Sequence, residues 1–300
     1  MSATTTAIYG DSRSHAWARV ADYIELTKPK IAVLELVTVS VSALLAGCEP
    51  WLLLHALLGT ALVAASASAL NQWWERDLDL RMERTADRPL PAGRLGSREV
   101  LAFGVVTVVL GVSYLTLAVN PLTAALGLAS WVLYVLVYTP LKSRTSANTL
   151  VGAVAGAVPI LMGWAAMGAP LNMKAATLFL IVFLWQFPHF MAIAWIYRRD
   201  YAAAGLRMLP VVEPTGLRAG AQAVLAALVL VPVSLVPAVL PLAGSTLVYF
   251  AWALLLGSGY FVCAVLFLIH MDDVSARRLL RASLVYLPAL MLALMLASPL

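Results

Sequence analysis

Residues 51–79 read WLLLHALLGTALVAASASALNQWWERDLD. From Trp51 to Asn71 there is no Asp, Glu, Lys or Arg. That is an apolar run of the ~20 residues a helix needs to cross a bilayer. The next eight residues then bring Glu75, Arg76, Asp77 and Asp79. The run is too long and too continuous for a barrel strand, which alternates over about ten residues. It reads as a membrane helix that leaves the apolar phase at its C-terminal end.

The rest of the chain repeats this pattern. Its 300 residues are 62% hydrophobic and 12% charged, with a mean hydropathy of +0.89. A soluble domain carries roughly 25% charge, so a chain this apolar lacks the polar groups to cover a globule. Composition therefore excludes a soluble enzyme, a nucleic-acid-binding domain and a disordered chain. It predicts an all-α, polytopic membrane bundle. Nine crossings are expected, at 31–48, 51–71, 99–118, 121–138, 150–168, 174–196, 219–240, 245–269 and 280–298, around a central cavity open toward the cytoplasm. Residues 1–30 form an expected polar N-terminal tail, with a mitochondrial transit peptide as the weaker alternative, and 31–300 form one intramembrane domain.

Charge orients the bundle. The links near 49–50, 119–120, 169–173 and 241–244 are short and almost uncharged, whereas 72–98, 139–149, 197–218 and 270–279 are basic. Nineteen of the 20 Lys and Arg residues fall in the tail, in the basic links or in the first turn of the last crossing; only Lys174 does not. By the positive-inside rule the tail and the basic links are cytoplasmic and Leu300 faces outward. The formal charge of +5 is thus a matter of topology and needs no nucleic-acid partner. Cys48 and Cys263 are expected near opposite faces, too far apart for a disulfide.

Asn71, Glu75 and Asp79 stand at i, i+4 and i+8, on one face of a continuing helix. Two carboxylates so placed repel each other, and a divalent cation between them relieves that cost. Oxygen ligands from Asn, Glu and Asp suit Mg²⁺, which often bridges to phosphate. Arg84, Arg88 and Arg94 follow, and guanidinium forks suit phosphate oxygens. The bland alternative is a solvated link with an Asp77–Arg81 surface pair worth under ~1 kcal/mol. The second polar end follows the sixth crossing, with Pro188, His189, Tyr197, Arg199, Asp200 and Tyr201. Pro188 predicts a local break. His189 lies about 11 Å inside the membrane end, where either an interhelical hydrogen bond or a functional role accounts for it. Asp200 is by itself as readily a cap or an ion-pair partner. Lys142 and Arg144 close the fourth crossing, either as plain inside anchors or as contacts to the far end of a diphosphate. Glu35 sits in the first crossing with no evident partner.

The pattern Asn71-x3-Glu75-x3-Asp79, followed by Arg84-Thr85 and Arg88-Pro89-Leu90, resembles the first acidic motif of the UbiA-type intramembrane prenyltransferases. Residues 71–90 (NQWWERDLDLRMERTADRPL), 138–166 (YTPLKSRTSANTLVGAVAGAVPILMGWAA) and 185–211 (WQFPHFMAIAWIYRRDYAAAGLRMLPV) are together more similar to the haem-farnesylating branch of that family. The wider family's second motif has two aspartates four apart; here Tyr197 and Tyr201 take those places, with Asp200 between them. The resemblance implies transfer of farnesyl from farnesyl diphosphate to a vinyl group of haem b, with water added, giving haem O and diphosphate. It implies Mg²⁺ held by Asn71, Glu75, Asp79 and Asp200, and substrate contacts from Arg84, Arg88, Lys142, His189, Tyr197, Arg199 and Tyr201, His189 toward the haem or its iron. A downstream haem A synthase or terminal oxidase assembly is the implied partner beyond the lipid bilayer. Two other readings are a different prenyl acceptor, such as a quinone precursor or chlorophyllide, and a small polytopic transporter, which would need charges at the bilayer midplane.

Overall fold

A computed structural model describes residues 17–240 and 246–298. Asp11 and Arg13 of the tail, the expected 241–244 link and Leu300 lie outside these residues. After a helical segment at 17–26, the main helices are α1 (Pro29–Leu45), α2 (Pro50–Asp79), α3 (Ser97–Ala118), α4 (Pro121–Val132), α5 (Asn148–Ala166), α6 (Met173–Ile196), α7 (Leu217–Val239), α8 (Thr246–His270) and α9 (Asp273–Ala297). No strand occurs among the described residues.

Eight helices are long and apolar enough to cross a membrane, α4 together with its extension to Leu141 counting as one. Helix α1 is the exception. Its 17 residues span about 25 Å at 1.5 Å per residue, less than the roughly 30 Å hydrocarbon layer. Of the nine expected crossings, the first, at 31–48, is thus a helix too short for that layer, and eight spanning helices are found among the described residues.

Several boundaries move from the expected ones for local reasons. Helix α2 continues through the acidic stripe to Asp79 instead of ending at 71. Helix α9 starts at Asp273 instead of 280, because Asp272 and Ser275 form a capping box, with Ser275 N donating to Asp272 Oδ1 at 2.7 Å. At the opposite ends, Glu49, Asn120 and Asn172 accept the first free amides of α2, α4 and α6. Pro188 does not break α6, which stays helical from Met173 to Ile196. Within this continuous helix the Tyr260 hydroxyl of α8 donates to Trp185 O at 3.1 Å, tying α6 to α8 just before the proline. Helix α4 departs from α geometry instead, becoming π-helical over Leu133–Tyr138 before a last turn at Thr139–Leu141. Cys48 and Cys263 are free thiols.

The helices pack as two groups. Helices α1–α5 close one ring, α6–α9 close a second, and α5 against α6 joins them. Apolar surface cannot drive helix association in lipid, so small residues and interhelical hydrogen bonds carry it. Ser66 Oγ donates to Gly104 O at 2.6 Å, Trp131 Nε1 donates to Ser66 Oγ at 2.9 Å, and Gln186 Nε2 donates to Ala153 O at 2.9 Å. Where α5 crosses α1, a Cβ on Gly163 would overlap Val39 O and Ser42 Oγ. Gly163→Ala is accordingly expected to force α1 off α5, at a cost of about 3 kcal/mol or more. The readout is the thermal midpoint in detergent, with Gly259→Ala as control, since a Cβ there meets nothing within 4 Å. Equal midpoints for the two variants would contradict the close crossing.

The basic links converge at one end of the bundle. Arg94 reaches Asp22 and Glu25 at 2.7 Å, Arg198 reaches Asp273 at 2.7 Å, and Arg207 N donates to Lys142 O at 2.7 Å. Arg19 pairs with Glu99. Tail, second link, fourth link, sixth link and the start of α9 thus form one charged face. Met82 of the second link packs with Tyr201, Leu206 and Met208 of the sixth, so an apolar contact seals the two longest links together.

Candidate active site

The acidic stripe is buried. Asn71, Glu75 and Asp79 are 1%, 5% and 0% exposed, although they lie in the last turns of a helix that runs into a charged loop. Each is held by a different cation. Lys28 Nζ donates to Asn71 Oδ1 at 2.7 Å. Lys142 Nζ lies 2.9 Å from Glu75 Oε1 and 3.2 Å from Oε2. Arg88 Nη1 donates to Asp79 Oδ2 at 2.7 Å. Asn71 Nδ2 also donates to Glu75 Oε2 at 3.0 Å and to Thr139 Oγ1 at 3.1 Å. The π-helical turn of α4 contributes here: Thr139 Oγ1 donates to Tyr134 O at 2.8 Å, and the Tyr138 ring carries Lys142 Nζ 4.6 Å from its centroid.

Two carboxylate oxygens of the stripe, Glu75 Oε1 and Asp79 Oδ1, are buried without a hydrogen bond among the described residues, and of these Glu75 Oε1 has the Lys142 ammonium as an ion-pair partner. Asp79 Oδ1 has neither. A buried carboxylate oxygen left bare costs several kcal/mol, so it marks a place where a cation or donor belongs. The donor set is all oxygen, which suits Mg²⁺. Two carboxylates and one amide, with the remaining positions left to water and phosphate, fit that ion.

Lys28 and Lys142 respond differently to burial. Burial, then repulsion from Arg88 and Lys142, lowers the Lys28 pKa to about 7. Burial is the largest influence on Lys142 and opposes its charge, but Glu75 together with Tyr138 and Tyr134 outweighs it and the pKa rises above the usual lysine value. Lys28 adopts a left-handed conformation, φ 51°, directly before Pro29. Both features are unfavourable for a lysine, and the turn holds its ammonium on Asn71.

Beyond this cluster lies a cavity of about 390 Å³, within the range of roughly 300–1,000 Å³ typical of small-molecule sites. Helices α1, α2, α4, α5, α6 and α9 line it. Its wall includes Ala67 and Ser68, one turn before Asn71 and Gln72, so the cation-bound stripe stands at one end of a mainly apolar chamber. Tyr138, Tyr201 and Met208 line that same end. Glu35, Tyr134 and His189 line it deeper inside.

Of the residues singled out by sequence, the structure gathers Asn71, Glu75, Asp79, Arg88 and Lys142 into one network. His189 and Tyr201 line the adjoining cavity. Arg84 stacks over the Tyr197 ring at 4.9 Å, so these two meet each other at the seam of the links. Arg94 is drawn away into the ion pairs with Asp22, Glu25 and Asp87. The expected Asp77–Arg81 pair is replaced by Arg76–Asp77 at 3.8 Å. Arg199 and Arg144 are exposed. Asp200 makes no side-chain hydrogen bond or ion pair with the stripe, and no three His, Cys, Asp or Glu residues cluster as metal ligands among the described residues. Lys28, Thr139 and Gln72 were not apparent from the sequence. The first two bind Asn71, and Gln72 Nε2 donates to Leu26 O at 2.8 Å. Only the Pro after Lys28 hinted at a constrained turn.

Residues 36–293 match the family model described as the UbiA prenyltransferase family. The chain belongs to the UbiA prenyltransferase family. Among curated relatives it is 45% identical over 279 residues to the protoheme IX farnesyltransferase of Solibacter usitatus, covering 89% of this chain and 95% of that one. It is 42% identical over 288 residues to the protoheme IX farnesyltransferase of Koribacter versatilis, covering 92% of each. Among solved structures, a digeranylgeranylglyceryl phosphate synthase superposes with a TM-score of 0.77 at 18% identity, over 93% of this chain and 98% of that one. A UbiA homologue from Archaeoglobus fulgidus, bound to GPP and Mg²⁺, gives 0.69 at 15% identity, over 91% and 99%. These two likenesses establish the UbiA fold.

Proposed function

We propose that this UbiA-family protein transfers the farnesyl group of farnesyl diphosphate to a vinyl carbon of haem b, with addition of water, releasing diphosphate and haem O. The observation that carries the reading is the buried trio Asn71, Glu75 and Asp79, with Asp79 Oδ1 unpartnered, placed at the end of an apolar cavity. The haem acceptor comes from the 42–45% identity to protoheme IX farnesyltransferases along nearly the whole chain.

Asn71, Glu75 and Asp79 would hold Mg²⁺, which when bound neutralises the charge that develops on the departing diphosphate. Arg88 and Lys142 already stand beside the carboxylates and can turn their free donors to phosphate oxygens. Arg84, Arg199 and Asp200 are the outer members of the site, on the two links that close over it. The apolar walls exclude water from the allylic chain while it ionises. The vinyl group supplies the nucleophile, and water then captures the cation next to the porphyrin. Tyr197 and Tyr201 stand where the resemblance puts the wider family's acids, and Tyr201 with Tyr138 makes this end of the chamber aromatic and suited to a flat acceptor.

In this reading the charged face lies on the cytoplasmic side of a bacterial cell membrane, with the N-terminus inside and the C-terminus outside, as the distribution of Lys and Arg among the links supports. The product would pass to a haem A synthase or a terminal oxidase. The test is direct. Membranes holding the protein are incubated with farnesyl diphosphate, Mg²⁺ and haem b, and the haem fraction is analysed by mass. A heavier haem that needs both farnesyl diphosphate and Mg²⁺ is expected. Prenylation of 4-hydroxybenzoate or chlorophyllide in its place would overturn the haem assignment.

A further inference from the structure

Glu35 has no part in the reading above, yet it belongs to the chamber. On α1, Ile31, Leu34, Glu35 and Thr38 line the cavity, and their i, i+3, i+4, i+7 spacing puts them on one face of the helix. Among the described residues of that lining, Glu35 is the sole carboxylic acid. Its carboxylate has no hydrogen bond or ion pair among the described residues; Thr38 Oγ1 donates to the Glu35 backbone carbonyl at 2.7 Å and leaves the side chain alone. An ionisable group so placed inside a membrane protein is costly and marks function.

Its position matches one step of the reaction. Lys28 and Tyr134 are both within electrostatic reach of Glu35. Lys28 Nζ is bound to Asn71 Oδ1 at 2.7 Å, and Tyr134 O accepts from Thr139 Oγ1, the hydroxyl that Asn71 Nδ2 meets. Glu35 therefore stands at the inner border of the acidic stripe, two helical turns or about 10 Å along α1 from Lys28. A diphosphate held at the stripe puts its allylic carbon just inside that border, where the bond to the acceptor forms. The other titratable groups of the lining are worse placed to take a proton. Tyr134, Tyr138 and Tyr201 are phenols that must first lose their own, and His189 Nδ1 is engaged 2.7 Å from Ser283 Oγ. Helices α2, α5 and α9 bring no titratable group to the described lining.

We propose that Glu35 is the catalytic base of the hydration step, taking the proton of the water that captures the cation. This rests on the haem reading above. The allylic C–O bond breaks and its electron pair leaves with diphosphate. The vinyl π pair then forms the new C–C bond, which leaves the positive charge on the carbon beside the ring. Water forms a C–O bond to that carbon, one of its O–H bonds breaks, and the proton passes to the Glu35 carboxylate. Glu35 regains its charge when the products leave and water enters. Without this base the protonated adduct reverts in the dry chamber. The cation then loses a proton from its neighbouring carbon to the departing diphosphate, giving an alkene lighter than haem O by one water.

The experiment supplies the full-length protein in detergent with farnesyl diphosphate, Mg²⁺ and haem b, and measures haem O and the alkene by mass. Glu35→Gln keeps the size of the side chain and a hydrogen bond to water but accepts no proton. It is expected to lower haem O formation about 10²-fold and to make the alkene the main product, with the KM for farnesyl diphosphate unchanged. Glu35→Asp, which keeps a base one methylene further back, is expected to fall between the two. Haem O as the main product of Glu35→Gln at the wild-type rate would overturn the proposal. So would a loss of both products together, since that is what a residue needed only for packing gives. Should Glu35→Gln fail to accumulate, Glu35→Asp decides by the same product ratio, and an alkene share no higher than in the wild type overturns the proposal. The wild type in the same experiment separates the two readings. No prenylated haem at all sinks the functional reading, whereas prenylated haem with an unmoved ratio in the variants sinks only this inference.

Discussion

Asp79→Ala is expected to abolish haem prenylation, with turnover down by about 10²–10³-fold or more, while the protein still accumulates in the membrane. Asp79 Oδ1 is a buried carboxylate oxygen with neither a hydrogen bond nor an ion pair among the described residues, and Oδ2 binds Arg88 at 2.7 Å. Removing the carboxylate takes away the negative charge on which a divalent cation would sit. The fold loses less, because Arg88 is 21% exposed and can turn to water. Product mass and membrane abundance, measured together, separate the two effects. Near-normal turnover would remove Asp79 from the metal site. Asp79→Asn sharpens the test, since it keeps the shape and an acceptor for Arg88 but not the charge, and it should be almost as inactive.

The second large effect falls on Lys142. Its ammonium is the counter-charge to Glu75, and both side chains are nearly buried. Lys142→Met leaves a buried carboxylate supported only by the amide of Asn71. Breaking such a pair from one side costs about 3–5 kcal/mol, which in detergent appears as a lower thermal midpoint together with lost activity. Adding Glu75→Gln to that variant removes the stranded charge. The double variant is expected to regain most of the midpoint and none of the turnover. A double variant as unstable as Lys142→Met would mean that Lys142 supports the fold through its packing over Tyr138 and not through Glu75.

The Glu75–Lys142 pair also illustrates what a linear reading misses. Asn71, Glu75 and Asp79 were visible as a stripe because helical period alone puts i, i+4 and i+8 on one face. That Lys142, 67 positions away, is the partner of Glu75 depends on how α4 ends. A π-helical turn over Leu133–Tyr138 precedes the last turn of α4, where Thr139 receives Asn71 Nδ2 of α2 at 3.1 Å, and no apolar pattern announces such a turn. Lys28 was hidden for a related reason. Its role follows from a strained left-handed turn before Pro29, and local propensity argues against that conformation. The expected break at Pro188 failed in the opposite sense: α6 stays helical through it, packed against α5, α7 and α9.

Asp200 shows the limit from another side. It stands at the right place along the chain, at the end of α6 beside Arg199. Which way a side chain turns at a helix end is set by what covers it, and here the apolar seam of Met82, Tyr201, Leu206 and Met208 occupies the space between the links.

Composition and hydropathy alone determined that this is a helical membrane protein, which end of the bundle collects its cations, and which helix face carries the acids. These properties depend on solvent preference and helical period, which act residue by residue. Only the tertiary structure decided which cation meets which acid, that Asp79 keeps a bare oxygen, and that His189 meets Ser283 across two helices. Such pairings join positions far apart in the chain, and they exist only once packing has brought separate helices within hydrogen-bonding distance.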